Sequence, residues 1–180
     1  MFERKSLERK EWKSKRASIP ENRRKEAEDT AFLFLQKLAF NHKYILSYSS
    51  FSHEFSTKKI NHYFCEKKKL LLPRVENDHL HVHFVDHLND LVPNRLGIFE
   101  PSPSTSSEIT FSQISVVIVP ALAFDKEKHR LGYGKGYYDR LLHQLPQTCQ
   151  FYGLGFKEQL SDNILPRAEH DIRLTHLILF

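Results

Sequence analysis

Residues 115–124 read Ser-Val-Val-Ile-Val-Pro-Ala-Leu-Ala-Phe, an apolar run rich in β-branched residues and free of charge. A strand of this composition has no polar face to give to water. It belongs in the middle of a sheet covered on both sides, and such strands run parallel to their neighbours. Helices must then lie against both faces. The flanking sequence supplies them. Residues 3–16 read as a first helix, and Pro20 opens a second that carries Ala27, Ala31, Phe34, Leu35 and Leu38 at helical spacing. The Phe and Leu positions across 32–38 read as core. Residues 44–48, 69–75, 79–85, 151–156 and 175–180 read as strands, and 57–67 and 137–145 as helices. Residues 100–108, with two prolines and four serines, must be a loop. The predicted architecture is a three-layer α/β protein with a mostly parallel sheet flanked by helices, one domain over residues 1–180.

At 180 residues and 40% hydrophobic content, the chain can bury a sizeable core. No apolar stretch reaches the roughly 18–20 residues of a membrane helix. The charged start MFERKSLERKEWKSKR lacks the apolar centre of a secretory signal. Cys65 and Cys149 lie far apart without a Cys-x-x-Cys spacing and read as reduced thiols of a cytoplasmic protein. The net charge of +5 is concentrated at the start, where residues 1–28 hold ten Lys or Arg against six Glu. A basic helix of this kind serves a phosphorylated ligand, a nucleic acid or, most commonly, a solvated face.

The most specific stretch is Arg130–Asp139, RLGYGKGYYD, with glycines at 132, 134 and 136. It follows the apolar run and a polar turn, and it precedes a helix starting near Tyr137. That order puts it at the carboxyl end of a strand, where open α/β sheets bind ligands. Glycines let backbone N–H groups approach phosphate oxygens, and a helix N-terminus adds partial positive charge. Arg130 and Lys135 add full charges. The loop reads as a cradle for a polyanion, most simply a nucleotide phosphate chain. It fits neither the Walker A spacing nor the dinucleotide fingerprint. The rival is a tight turn whose glycines serve sterics alone.

The stretch Pro120–Leu142 closely resembles the signature of the 5-formyltetrahydrofolate cyclo-ligase family: a strand ending in Pro, then Phe-Asp, then Arg-Leu-Gly-x-Gly-x-Gly-Tyr-Tyr-Asp. Shorter likenesses run along nearly the whole chain: KSLER near the start, SYSSFSHEFST around residue 50, KKKLLLPRV, GIFEP at 97–101 and LPRAEHDIRL near the end. The resemblance implies a fold similar to the sugar-phosphate isomerase and CoA-transferase group. It also implies an ATP-dependent, Mg²⁺-requiring cyclisation of 5-formyltetrahydrofolate to 5,10-methenyltetrahydrofolate, with ADP and phosphate released after phosphorylation of the formyl oxygen.

Carried over position by position, the resemblance makes Arg130, Leu131, Gly132, Tyr133, Gly134, Lys135, Gly136, Tyr137 and Tyr138 the wrap around the ATP phosphates. Residues 133–137 also border the folate, and Lys135 and Arg130 assist the transferring phosphoryl group. Asp139 and Asp171 become the carboxylates on the metal side. Lys5 and Arg9, four apart on one helix face, touch the nucleotide, with Lys10 and Lys13 nearby. Ser49 and Glu54 fall on the folate side, where a carboxylate can accept from a pterin's amino and ring N–H groups. ATP and the folate are the expected partners of a monomer, with neither nucleic acid nor membrane. Ser115 and Ala121 depart from the family pattern without removing charge from the reaction.

His79, His81 and His83 alternate and share one strand face. Their spacing of about 6.5–7 Å along a strand leaves a zinc site unsupported. They are expected in solvent, with Leu80, Val82 and Phe84 facing the core. Two other readings remain: a nucleic-acid module using the basic helix, for which the glycine loop and its carboxylates have no use, and a different enzyme on a similar scaffold that needs no ATP.

Overall fold

The computed structural model describes residues 2–180. In chain order they form α1 (Phe2–Ala17), α2 (Glu21–Phe40), β1 (Ile45–Leu46), α3 (Lys58–Glu66), β2 (Leu70–Glu76), β3 (His79–Phe84), β4 (Val92–Pro93), β5 (Phe99–Glu100), β6 (Ser107–Glu108), β7 (Val116–Val119), β8 (Ala123–Asp125), β9 (Arg130–Leu131), α4 (Tyr137–Gln144), β10 (Gln150–Gly155), β11 (Leu160–Ser161) and β12 (His176–Leu179).

The main sheet has the order β12-β10-β7-β1-β2-β3-β6. The pairings from β12 through β2 are parallel, and β3 and β6 are added antiparallel. All four residues of β7 are buried, as their composition requires. They alternate between two cores. Val116 and Ile118 pack with Ala31 and Leu35 of α2 and Phe64 of α3. Val117 and Val119 pack with Leu141 and Leu142 of α4. The mixed α/β architecture therefore has a mostly parallel sheet with helices on both faces.

Four sequence expectations need correction. The apolar run is not one strand to Phe124. Pro120 has no N–H for the ladder, so β7 ends at Val119. The chain resumes as β8 in a separate sheet ordered β11-β8-β9. Second, Arg130 and Leu131 are not loop: they form β9, antiparallel to β8. Third, Leu33 and Phe34 lie outside the core, at 63% and 39% exposure; the buried stripe of α2 is Arg24, Ala27, Ala31, Leu35 and Ala39. Small residues there let the helix lie close to the sheet. Fourth, His83 is buried rather than solvated, because β6 covers that end of β3 and Ser106 Oγ bonds its Nδ1 at 3.1 Å.

Two side chains fix the second sheet in place. Phe124 is fully buried against β10 at the two glycines of Phe-Tyr-Gly-Leu-Gly-Phe. A Cβ on Gly153 would lie 2.6 Å from the Phe124 ring and 2.7 Å from Leu174 Cδ1. Asp125, at 2% exposure, accepts from the Glu127 and His129 amides on Oδ1, and from the Leu165 amide and Arg167 Nη2 on Oδ2. One carboxylate thus shapes the β8–β9 turn and fastens the segment before β12.

Gly153→Ala is expected to lower stability by about 2 kcal/mol, since the Phe124 ring, Leu174 and Leu177 must shift; a urea melt with an unchanged midpoint would refute the contact. Asp125→Ala leaves buried amides unpartnered and is expected to cost about 3 kcal/mol, with faster amide exchange at Glu127, His129 and Leu165 than in the parent.

Candidate active site

Charged residues at the start of the chain are not a uniformly solvated face. Lys5, Arg9, Trp12 and Arg16 follow one another at steps of four, three and four, which puts them on one side of α1. Trp12 is buried with Leu122, Ala123, Leu131 and Leu165, and Tyr133 packs against that cluster. This apolar contact docks α1 on the β8–β9 hairpin. The cations on either side of Trp12 then reach polar partners. Arg9 Nε donates to the Gly132 carbonyl at 3.0 Å, and Arg16 donates to the Ala121 carbonyl and the Tyr133 hydroxyl at 3.1 and 2.7 Å. Lys5 Nζ meets Asp171 Oδ2 at 2.5 Å. Lys10 and Lys13 are exposed and off this face.

The glycine loop leaves β9 and enters α4 through Gly136, whose φ of +66° is the left-handed cap before Tyr137. Gly134 has φ +101°, and a Cβ there would lie 3.0 Å from Arg9 Cζ. Gly132 differs. Its φ is ordinary and a Cβ would meet nothing within 4 Å, so no internal contact demands a glycine. Lys135 is exposed, and its Nζ has no hydrogen-bond partner among the described residues. Leu131 points into the core and offers the loop only its backbone. Tyr137 is held by Asp78 Oδ1 at 3.3 Å, and Tyr138 is half-buried beside it.

The two carboxylates expected near a metal are brought together by the main chain. Asp139 Oδ1 accepts from Arg130 Nη2 at 2.6 Å and from the amide of Ile172 at 3.1 Å, and Ile172 directly follows Asp171. Arg130 also donates to the Ile172 carbonyl at 2.8 Å. Its guanidinium is thus committed to Asp139 and the 172 backbone rather than projecting into the loop. Asp171 Oδ2 takes Lys5 and the Ala168 amide. Burial opposes its charge, but these two donors outweigh burial and hold its carboxyl below the ordinary range. Oδ2 of Asp139 and Oδ1 of Asp171 have no protein hydrogen bond among the described residues. Each carboxylate keeps one oxygen for a hard cation or its water, which fits Mg²⁺. Among the described residues there is no cluster of three or more His, Cys, Asp or Glu around a metal position.

Glu54 closes the other side. It is 7% exposed, with Oε1 accepting from the Tyr133 hydroxyl at 2.6 Å and Oε2 from the Phe51 amide at 3.1 Å. Burial pushes its carboxyl up, and the hydrogen bonds and Arg16 pull part of the way back. Phe51 faces the Tyr133 ring at 5.8 Å. Ser49 lies half-buried in the same loop, with no side-chain bond among the described residues. Sequence reasoning missed Trp12 and Arg16; the continued spacing from Lys5 was the available signal. An open cleft of about 580 Å³ between α2 and the end of the chain shares no residue with this cluster.

The geometry has parallels in known proteins. The model of the 5-formyltetrahydrofolate cyclo-ligase family matches residues 1–179. A Haemophilus influenzae 5-formyltetrahydrofolate cyclo-ligase is 32% identical over 143 residues, covering 76% of this chain and 75% of that protein. A Mycolicibacterium smegmatis relative of the same name is 39% identical over 88 residues, 49% of this chain and 45% of its own length. The solution structure of Aquifex aeolicus 5,10-methenyltetrahydrofolate synthetase superposes with a TM-score of 0.85 and 29% identity, covering 97% of this chain and 89% of that one. A match from the first residue almost to the last, on a shared fold, leaves one conclusion: the chain belongs to the 5-formyltetrahydrofolate cyclo-ligase family.

Proposed function

We propose that the protein, acting as one cyclo-ligase domain, uses ATP to close 5-formyltetrahydrofolate to 5,10-methenyltetrahydrofolate, releasing ADP and phosphate. The observation that carries this reading is that one glycine loop joins two half-sites. Arg9 and Lys135 border it on one side, and Glu54 is bonded to Tyr133 within it on the other. A polyanion and a neutral ring with adjacent N–H donors are the two ligands such a loop brings into contact. The scaffold likeness to sugar-phosphate isomerases and CoA-transferases is part of the same reading, as are a cytoplasmic setting and a monomeric state.

The chemistry needs positioning and charge neutralisation more than covalent help. The formyl oxygen is a poor leaving group. It attacks the γ-phosphorus, the bond to the β-phosphate oxygen breaks, and ADP leaves with that electron pair. The product is an iminium phosphate on the formyl carbon. The neighbouring folate nitrogen adds to that carbon and loses its proton, and phosphate departs with the C–O electrons. Lys135, without a side-chain partner among the described residues, neutralises the transferring group. Arg9 and Lys5 steady the nucleotide from α1. Arg130 works through Asp139, fixing which carboxylate oxygen is offered. Asp139 and Asp171 would hold Mg²⁺, which when bound offsets phosphate charge. Glu54, with Ser49 beside it, accepts from the pterin's amino and ring N–H groups. Gly132 supplies the bare backbone that no internal contact explains.

Purified protein with 5-formyltetrahydrofolate, ATP and Mg²⁺ is expected to show an ATP-dependent rise in methenyl absorbance. Lys135→Ala should lower kcat about 100-fold, the scale of removing one charge-stabilising group; a folded protein with no rise would refute the reading. Gly132→Ala separates ligand from fold. It should leave the melting profile within about 0.5 kcal/mol of the parent while raising the KM for ATP at least tenfold. An unchanged KM would remove Gly132 from the nucleotide cradle.

A further inference from the structure

Arg16 has no role in the family resemblance, yet it is among the most enclosed cations described. It is 4% exposed, lies one turn beyond Trp12, and points at the loop. It does not pair with Glu54 directly. Its Nη2 donates to the Tyr133 hydroxyl at 2.7 Å, and that hydroxyl donates its own proton to Glu54 Oε1 at 2.6 Å. The order of donors is fixed by chemistry: a guanidinium can only donate, and a phenol that accepts from it has its proton left for the carboxylate. The three groups form a one-way chain from a buried cation to a buried anion.

We infer that Arg16 and Tyr133 are positioning residues that hold Glu54 ionised, with its oxygens aimed at the folate ring; this rests on Glu54 being the folate-side acceptor. A carboxylate that must accept two adjacent N–H groups fails when protonated, because one oxygen then presents a donor. Glu54 is poorly placed to stay charged alone, since burial raises its carboxyl. Arg16 from α1 supplies the balancing charge. Arg24 from α2 adds a second cation nearby, bonded to the His53 carbonyl and to that of Arg16. Two tyrosines and a histidine complete the neighbourhood. Tyr48 and Tyr138 are both raised by burial and by Glu54, and His53 precedes it in the chain. Tyr48 uses its proton on the Phe55 carbonyl. Tyr133 is therefore the hydroxyl bonded to Glu54 among the described residues. Without it the carboxyl loses a hydrogen bond to its charged form and must rise.

The test is the pH profile of kcat/KM for 5-formyltetrahydrofolate in wild type, Tyr133→Phe and Arg16→Lys. Affinity needs the anion, so it falls as pH drops through the Glu54 pKa, and raising that pKa moves the acid limb upward. Tyr133→Phe should move the limb by about one pH unit, a roughly tenfold loss on its acid side that narrows above it. The effect should lie in the folate KM more than in the KM for ATP. Arg16→Lys keeps the charge and should move the limb less than Arg16→Met. An equal loss at every pH, or a loss confined to the ATP KM, overturns the inference. Carboxyl ¹³C titration of Glu54 in wild type and Tyr133→Phe reads the chain without catalysis. If wild type makes no methenyl product, the proposed reaction falls, and an unmoved Glu54 titration would sink the inference separately.

Discussion

The site depends on where the central strand is forced to stop. β7 is buried on both faces, so it cannot carry polar machinery itself. Pro120 removes the ladder donor just past Val119, and the chain must leave the sheet at its carboxyl edge. It turns into β8, and Asp125 folds the next residues back as β9. Everything that touches the glycine loop is placed relative to that exit. Phe124 locks it to β10 through the Gly153 and Gly155 contacts, Trp12 docks α1 on it, and Leu165 ties in the segment that brings Asp171 back to Lys5.

The first helix shows how one segment satisfies two demands. An α-helix with this many charges has little apolar surface with which to hold a position. A single tryptophan in a small apolar cluster fixes it, and the cations beside that tryptophan then gain fixed acceptors: a carbonyl for Arg9, a carbonyl and a phenol for Arg16, a carboxylate for Lys5. Charge density that reads as solvation in sequence is, in space, a row of cations seated on fixed acceptors.

Fold class was legible because it follows from composition: a two-sided apolar strand needs covering layers. The alternation of elements and the helix start at Tyr137 were legible for the same reason. The Pro120 break and the second sheet were not, since residues 121–124 are as apolar as the strand before them and only pairing with β9 reveals the change of sheet. Phe34 and His83 were misread because periodicity gives a face, not what covers it; β6, two residues long, buries His83. Within the site, the glycine loop, Glu54, Asp139 and Asp171 were visible through a family signature. Arg16 was not, because its partner is a tyrosine 117 residues away.

The charges of the site fit the proposed ligand. Lys5 offsets Asp171, Arg130 offsets Asp139, and Arg16 offsets Glu54 through Tyr133. Arg9, Lys135 and Arg140 remain with no carboxylate partner among the described residues. The surplus of positive charge sits at the glycines, beside the N-terminus of α4. A surplus of that sign suits a polyanionic ligand. The neutral pairs do different work. Each fixes one carboxylate oxygen and leaves its other oxygen, or its outer lone pairs, for a ligand. Pairing of this kind holds the carboxylates without filling the site, and the paired cations belong to α1 and β9.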